Sequence, residues 1–266
     1  MLKADTSRFC VFCGSPADSN EHVFALRLCN RAGAVKYPVI AGLSVEGQEN
    51  VTRKEHQIEA VQVRHVCAKC NNGWMNDLEA WFESRLGFLI EPQWPQLALP
   101  MIEALNSERN KLAQWLMKTA VMFSLASLQG EHRVEFSPTV TRKIKDGILP
   151  ENCWVDSAFS KSVLSAVGGT ITRVFYVKNG GQPIQSQVLK NGDGFKFIVQ
   201  FNHLLLRIGQ APNANVTYQS WQGESPVRLY PTPAPKIPDN FAYEDIMKFE
   251  KAVVLETWKG CCGSIA

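Results

Sequence analysis

Two Cys-x-x-Cys pairs, Cys10-Val-Phe-Cys13 and Cys67-Ala-Lys-Cys70, stand in the first third of the 266-residue chain. In each pair a tight turn lets two thiolates grip one ion. Together they supply the four sulfur ligands that structural Zn²⁺ prefers. Turn-forming and polar residues follow both pairs: Gly14 after the first, then Asn71, Asn72 and Gly73 after the second. The competing reading is four reduced core cysteines, since free thiols are often buried. A purely structural knuckle, however, has no use for the carboxamide of Asn71 directly after Cys70. Between the pairs lie Glu21 and His22, followed by Val23 and Phe24. On a strand, Glu21 and His22 project to opposite faces. A carboxylate there can hold a hard divalent ion while the neighbouring imidazole abstracts a proton. Taken alone, adjacent Glu and His residues are an ordinary surface pair.

The order Cys-x-x-Cys, Glu-His, Cys-x-x-Cys-Asn resembles the HNH nucleases of the ββα-metal fold, in the branch where four cysteines bind a structural zinc. The resemblance covers residues 8–85 and leaves the remainder unassigned. It implies a zinc-stapled ββα-metal, treble-clef-like module with Zn²⁺ on Cys10, Cys13, Cys67 and Cys70. By the same resemblance His22 is the general base, and Glu21 and Asn71 hold a catalytic Mg²⁺ or Mn²⁺. The implied partner is DNA, with RNA as the alternative polymer. The chemistry is coherent, because phosphodiester hydrolysis needs a cation at the phosphate and a base for the attacking water. Two departures stand out. Forty-four residues separate His22 from Cys67, longer than in compact members of the family. The His, Asn or Lys found slightly further into the helix of many HNH motifs has no clear counterpart, since Trp74 and Met75 occupy that stretch. Glu79, on roughly the same helical face as Asn71, is the candidate substitute, against the alternative of a solvated charge. The rival function is a non-catalytic zinc-finger module that binds nucleic acid or protein; a binder gives no reason for Glu21, His22 and Asn71 to surround the zinc. A third reading makes the nuclease-like part a degenerate scaffold for the C-terminal region.

The elements that must position these residues divide into an N-terminal module, residues 1–90, and a mixed helix and antiparallel-sheet region, residues 91–266, giving an α+β chain. Alternation over residues 60–66 predicts a strand leading into Cys67. Apolar spacing predicts a helix over 71–88 with Trp74, Met75, Leu78, Trp81, Phe82 and Leu86 inward. Residues 91–100 read as a proline-punctuated connector, and 107–129 as a core helix carrying Leu112, Trp115, Leu116, Thr119, Met122, Phe123 and Ala126. Strands are expected at 170–178 and 195–209, with Phe195, Phe197, Val199 and Phe201 on one face, and turns at 179–181 and 191–194. Residues 211–238 read as loop with a short strand at Val227–Tyr230. A last helix from Asp239 is expected to present Ala242, Ile246, Phe249 and Val253 on one side.

The remaining candidates rank lower. Cys29 reads as a buried thiol, His203 as a hydrogen-bonded core histidine, and His56 as a solvated side chain. His65 packs near the zinc or faces outward, and Cys153, Cys261 and Cys262 lack partner spacing. Arg27, Arg31, Arg53, Lys54 and Arg64 are the phosphate-contact candidates, with plain surface charge as the equal alternative. The formal charge of +3 from 28 basic and 25 acidic residues is nearly neutral on this surface, so charge neither supports nor excludes DNA. No stretch reaches the roughly 18–20 consecutive apolar residues of a membrane span, and the N-terminus lacks the apolar core of a secretory signal. The expectation is a soluble cytoplasmic protein whose cysteines stay reduced.

Overall fold

Short alternating segments and one long apolar helix set the architecture. The computed structural model describes residues 8–33, 38–42, 54–57, 61–91, 98–126, 134, 136–173, 177–179, 182–184, 194–210, 216–220, 227–231, 242–243 and 253–257. They form an α+β arrangement with largely antiparallel sheets.

Strand β1 (Ser19–His22) pairs antiparallel with β4 (Gln62–Val66), placing Glu21 opposite Val63 and His22 opposite Gln62. In β4, Gln62, Val63 and Arg64 alternate exposed, buried, exposed with a period of 2, while Val66, on the parity of Arg64, is buried where the strand runs into Cys67. Helix α1 (Leu26–Arg31) follows β1. Beyond β4 the expected single helix arrives in pieces: α2 (Ala68–Cys70), a widened π-type turn over Asn71–Met75, and α3 (Asn76–Leu86). Gly73 breaks the spiral, with φ −95° and ψ −119°. The inward face is nonetheless the expected one, with Met75, Leu78, Trp81, Phe82 and Leu86 buried.

Residues 98–100 begin helix α4 (Ala98–Ser107) rather than ending a connector. Pro100 is tolerated because it lies in the first turn, where no intrahelical N–H bond is lost. Helix α5 (Arg109–Ala126) is the axis of the core. It is buried almost all round rather than along one stripe, because α3, β4 and the elements that follow enclose it. Trp115 stacks on Phe82 of α3 with ring centroids 4.2 Å apart. Helix α6 (Pro138–Ile144) is capped by the Ser137 hydroxyl, which accepts from the Val140 N–H.

The largest sheet is built on β5 (Cys153–Arg173) and β8 (Phe195–Gln210), paired antiparallel along most of their length. The other edge of β5 takes β10 (Val227–Tyr230), then β11 (Ala242–Tyr243), then β2 (Pro38–Gly42), with β3 (Lys54–Gln57) beyond β2. A smaller sheet orders β7 (Gln182–Ile184), β6 (Val177–Asn179), β12 (Val253–Thr257) and β9 (Val216–Ser220). The strand expected at 170–178 therefore begins much earlier, at Cys153. The helix expected from Asp239 is corrected at Ala242 and Val253, which lie in strands; Ile246 and Phe249 fall outside the described residues. Non-local main-chain partners on β5 and β9 override the helical spacing there. The 191–194 turn begins outside the described residues as well.

Asn202 explains how β8 keeps its apolar face inward over sixteen residues. Its φ of +49° is left-handed, a conformation Asn tolerates better than most side chains. The register with β5 breaks there, and the side-chain parity shifts by one. Phe195, Phe197, Val199 and Phe201 before it, and Leu204, Leu206 and Ile208 after it, thus join the same core. The buried Asn202 amide donates to Ile90 O at 2.6 Å and to Ala32 O at 3.2 Å, tying β8 to the ends of α1 and of the turn after α3. Asn202→Ala strips both carbonyls of their donor and leaves a less tolerant residue at positive φ. Chemical denaturation should show a loss of about 3 kcal/mol, and a loss below about 1 kcal/mol would contradict this role.

Candidate metal centre and adjoining carboxylate site

Each cysteine pair sits on a hydrogen-bonded knuckle. In the first, Gly14 N–H donates to Cys10 O at 2.8 Å and Cys10 N–H to Ser15 O at 2.7 Å, closing a turn that requires the φ of +79° at Gly14. In the second, Cys67 Sγ accepts from Cys70 N–H at 3.4 Å, and Asn71 N–H donates to Cys67 O at 2.9 Å. Asp18 Oδ1 caps α2 by accepting from Ala68 N–H at 2.7 Å. The knuckles are joined by Val11 N–H to His65 O at 3.0 Å. Cys13 Sγ and Cys67 Sγ are 3.5 Å apart.

All four sulfurs, from Cys10, Cys13, Cys67 and Cys70, lie within 4.8 Å of one another. A tetrahedral ion with bonds of about 2.3 Å spaces its sulfur ligands about 3.8 Å apart, so these residues fit one metal ion and are compatible with structural zinc. The thiols are not alike: burial pushes those of Cys10 and Cys70 up, whereas at Cys13 hydrogen bonds from Ser15, Cys67 and Cys10 outweigh burial and bring the pKa to about 6.

The first residue beyond this cluster is Asn71. Its Nδ2 donates to Ser19 Oγ at 2.7 Å and to Asn20 O at 3.2 Å, so the second knuckle is stitched to β1. Burial raises the Glu21 pKa to about 7, with the Glu79 charge adding to the rise; Lys118, Asn71 and Arg27 pull the other way. Behind Glu21, Glu79 of α3 is ion-paired with Lys118 of α5, and both are almost wholly buried. Glu79 therefore faces the site side of the helix rather than solvent. Cys29 packs nearby as a buried thiol, pushed up to about 12 by burial and by the Glu79 charge.

Glu21 and Asn71 are thus brought together beside the thiol cluster, with Glu79 behind them. His22 is turned to the opposite face of the hairpin, where its Nε2 lies 2.9 Å from the Gln62 amide. Two phosphate-contact candidates are engaged within the chain. Arg27 is bonded to Asn76 O at 2.8 Å and paired with Glu83, while Arg31 is paired with Glu91 at 2.7 Å and donates to Glu83 O at 2.9 Å. They clamp α1 to α3, because these helix-end carbonyls and carboxylates are within easy reach. Arg64 is exposed, Arg53 lies outside the described residues, and so do the side chains of Lys54 and His56. His65 is half-buried, Cys153 is buried, and His203 Nδ1 lies 2.8 Å from Ser160 O. Cys261 and Cys262 lie outside the described residues. Lys118 was not anticipated as a site residue. A lone lysine inside the apolar run from Trp115 to Phe123 signals a buried charge that needs a partner.

No family model matches the chain, and neither a curated protein nor a solved structure matches it.

Metal analysis of purified protein should find about one thiolate-bound ion per chain, with zinc expected for a four-sulfur donor set. Cys67→Ala should lose the ion together with folding of the N-terminal segment, and a folded, metal-free wild type would sink this expectation. Lys118→Met leaves the Glu79 carboxylate uncompensated and should destabilise the protein by about 3–5 kcal/mol. The double variant with Glu79→Leu should recover most of that loss in the same denaturation series.

Proposed function

We propose that the chain is a metal-dependent endonuclease that hydrolyses DNA phosphodiester bonds, built on a zinc-stapled ββα-metal module of β1, β4 and the α2–α3 segment. The observation that carries this reading is that Asn71, one residue beyond the four-cysteine cluster, is bonded through Nδ2 to Ser19 and Asn20, the two residues before Glu21 and His22. A bound Mg²⁺ or Mn²⁺ supplies charge neutralisation at the scissile phosphate and at the departing oxyanion. Glu21 offers a carboxylate and Asn71 an amide oxygen for that ion. With Nδ2 committed to Ser19 and Asn20, Asn71 Oδ1 is the atom left for a cation. Zinc on Cys10, Cys13, Cys67 and Cys70 fixes the helix start, and with it the direction of Asn71. His22 is assigned the proton of the attacking water; its ring is held by Gln62 on the other face of the hairpin, so the water has to meet it past the edge of the ribbon rather than beside Asn71.

A second reading is the non-catalytic zinc-finger module. The same Asn71 bonds favour it, since stitching the knuckle to β1 is a structural task that needs no catalysis.

The two readings part on one residue. Incubated with DNA and Mg²⁺ or Mn²⁺, the protein should cut, and EDTA should stop it. His22→Ala should lower the rate by roughly 10²–10⁴ while zinc content and fold stay intact. Asn71→Ala should raise the Mg²⁺ requirement. A binder's affinity for DNA scarcely notices His22→Ala. Binding without cutting of any DNA or RNA form would promote the second reading, and cutting that persists undiminished in the His22 variant would mark a contaminant.

A further inference from the structure

A cavity of about 360 Å³ opens between the first cysteine knuckle and helices α5 and α6. Among the described residues its walls include Phe9 and Val11 beside the knuckle, Val121 and Leu125 of α5, Phe136, and Arg142 of α6. None of Glu21, His22 and Asn71 lines it. A mostly apolar cavity of this size is large enough for a small organic molecule. Phe9 is 58% exposed, so a phenyl ring stands largely in water where the apolar wall reaches the surface. Covering that ring and wall with hydrocarbon is favourable in proportion to the area removed from water.

The polar groups of the wall decide what else the ligand must carry. Thr141 Oγ1 donates to Val11 O at 2.6 Å, and Ser124 Oγ donates to Val134 O, so both hydroxyl hydrogens are committed to carbonyls. Arg142 is the one charged residue among the described residues of the lining. It is exposed, and among the described residues it has no ion pair. Its place is nonetheless set. The Thr141 bond ties α6 to the knuckle, and Gln114 Nε2 of α5 donates to Ile144 O at 2.7 Å. Arg142 Nη2 comes so near Gly14 that a Cβ on that residue would lie 3.3 Å away. A guanidinium keeps its charge, accepts nothing, and takes a carboxylate through two parallel N–H bonds. One cation on an apolar wall therefore selects an apolar body with a single acidic end. A polyanion would set unpaired charge against hydrocarbon.

We propose that this cavity binds a small apolar carboxylate, with its hydrocarbon body against Phe9, Val121, Leu125 and Phe136 and its carboxylate on Arg142. The site is independent of the nuclease reading. Cys10 and Val11 of the first knuckle share the wall with Val121 of α5, so the bound molecule braces the knuckle against the core helix.

Octanoate is the probe, titrated into the full chain as purified and followed by calorimetry and by thermal denaturation. One octanoate should bind per chain and raise the melting temperature as its concentration rises. Octanol, the same chain without the charge, should bind about fivefold more weakly, and octylammonium more weakly still. Arg142→Gln should bring octanoate down to the affinity of octanol. Arg142→Glu should reverse the preference toward octylammonium; the side chain is exposed, so both variants keep the fold. Leu125→Trp, on the half-buried part of the wall, should block octanoate and octanol alike. If Leu125→Trp does not fold, judged by circular dichroism, the two Arg142 variants decide. Equal affinities for octanoate and octanol, or octanoate binding unchanged in an Arg142 variant or a folded Leu125 variant, would mark plain apolar adsorption and overturn the proposal. A wild type that binds no octanoate at millimolar concentration overturns it as well.

Discussion

Four thiols from two knuckles, among them Cys13 and Cys67 separated by 54 positions in sequence, have to meet within 4.8 Å of one another. The N-terminal architecture follows from that requirement. β1 and β4 have only four and five residues, and a two-stranded ribbon of that size has little stability by itself. The thiol cluster closes the ribbon at one end, Asp18 and Asn71 stitch it to the helix start, and α5 backs it from inside. Folding and metal binding are coupled wherever ligands come from distant segments, since the unfolded chain has no preformed site. The position of Asn71 is therefore a consequence of where the sulfurs converge.

Polar groups in the interior then determine how that ribbon meets the rest of the protein. Lys118 reaches Glu79 from the middle of a helix that otherwise packs aromatic and aliphatic side chains. A buried ion pair is weak evidence of stability, because desolvation offsets much of the attraction. Its value here is geometric. It fixes α3 against α5, the helix that also backs β4. Asp156 and Arg207 do comparable work in the large sheet, where opposite positions on β5 and β8 place them side by side.

The packing also runs continuously from the cysteine-bearing segment into the later sheet. Phe24 of the first segment meets Phe201 of β8 and Phe123 of α5, and Asn202 bonds the carbonyls of Ala32 and Ile90. Residues from both parts of the chain occupy one apolar cluster. Disturbing β8 should therefore be felt at the ends of α1 and α3, the elements that carry Arg27, Arg31 and Glu79.

Local spacing was enough to find the two cysteine pairs, the strand before Cys67, the inward face of α3 and the apolar stretch of α5, because each is written within a few residues as a turn, a period of 2 or a period of 3.6. The Ser137-Pro138 start of α6 is equally legible, a capping hydroxyl followed by proline at the first helical position. What the sequence left open depended on partners far along the chain. Only the fold brings Lys118 to Glu79 across 39 positions, gives Arg27 and Arg31 to α3, and sets Gln62 beside His22. Only strand pairing makes β5 run from Cys153 and draws Ala242 and Val253 into sheets. The left-handed residue at Asn202 could not be read from its neighbours, since the alternation before it gives no sign of the shift after it. Backbone preference and side-chain period act over a turn or two and are carried by the sequence itself. Burial, charge pairing and register are settled only when distant segments compete for the same partners.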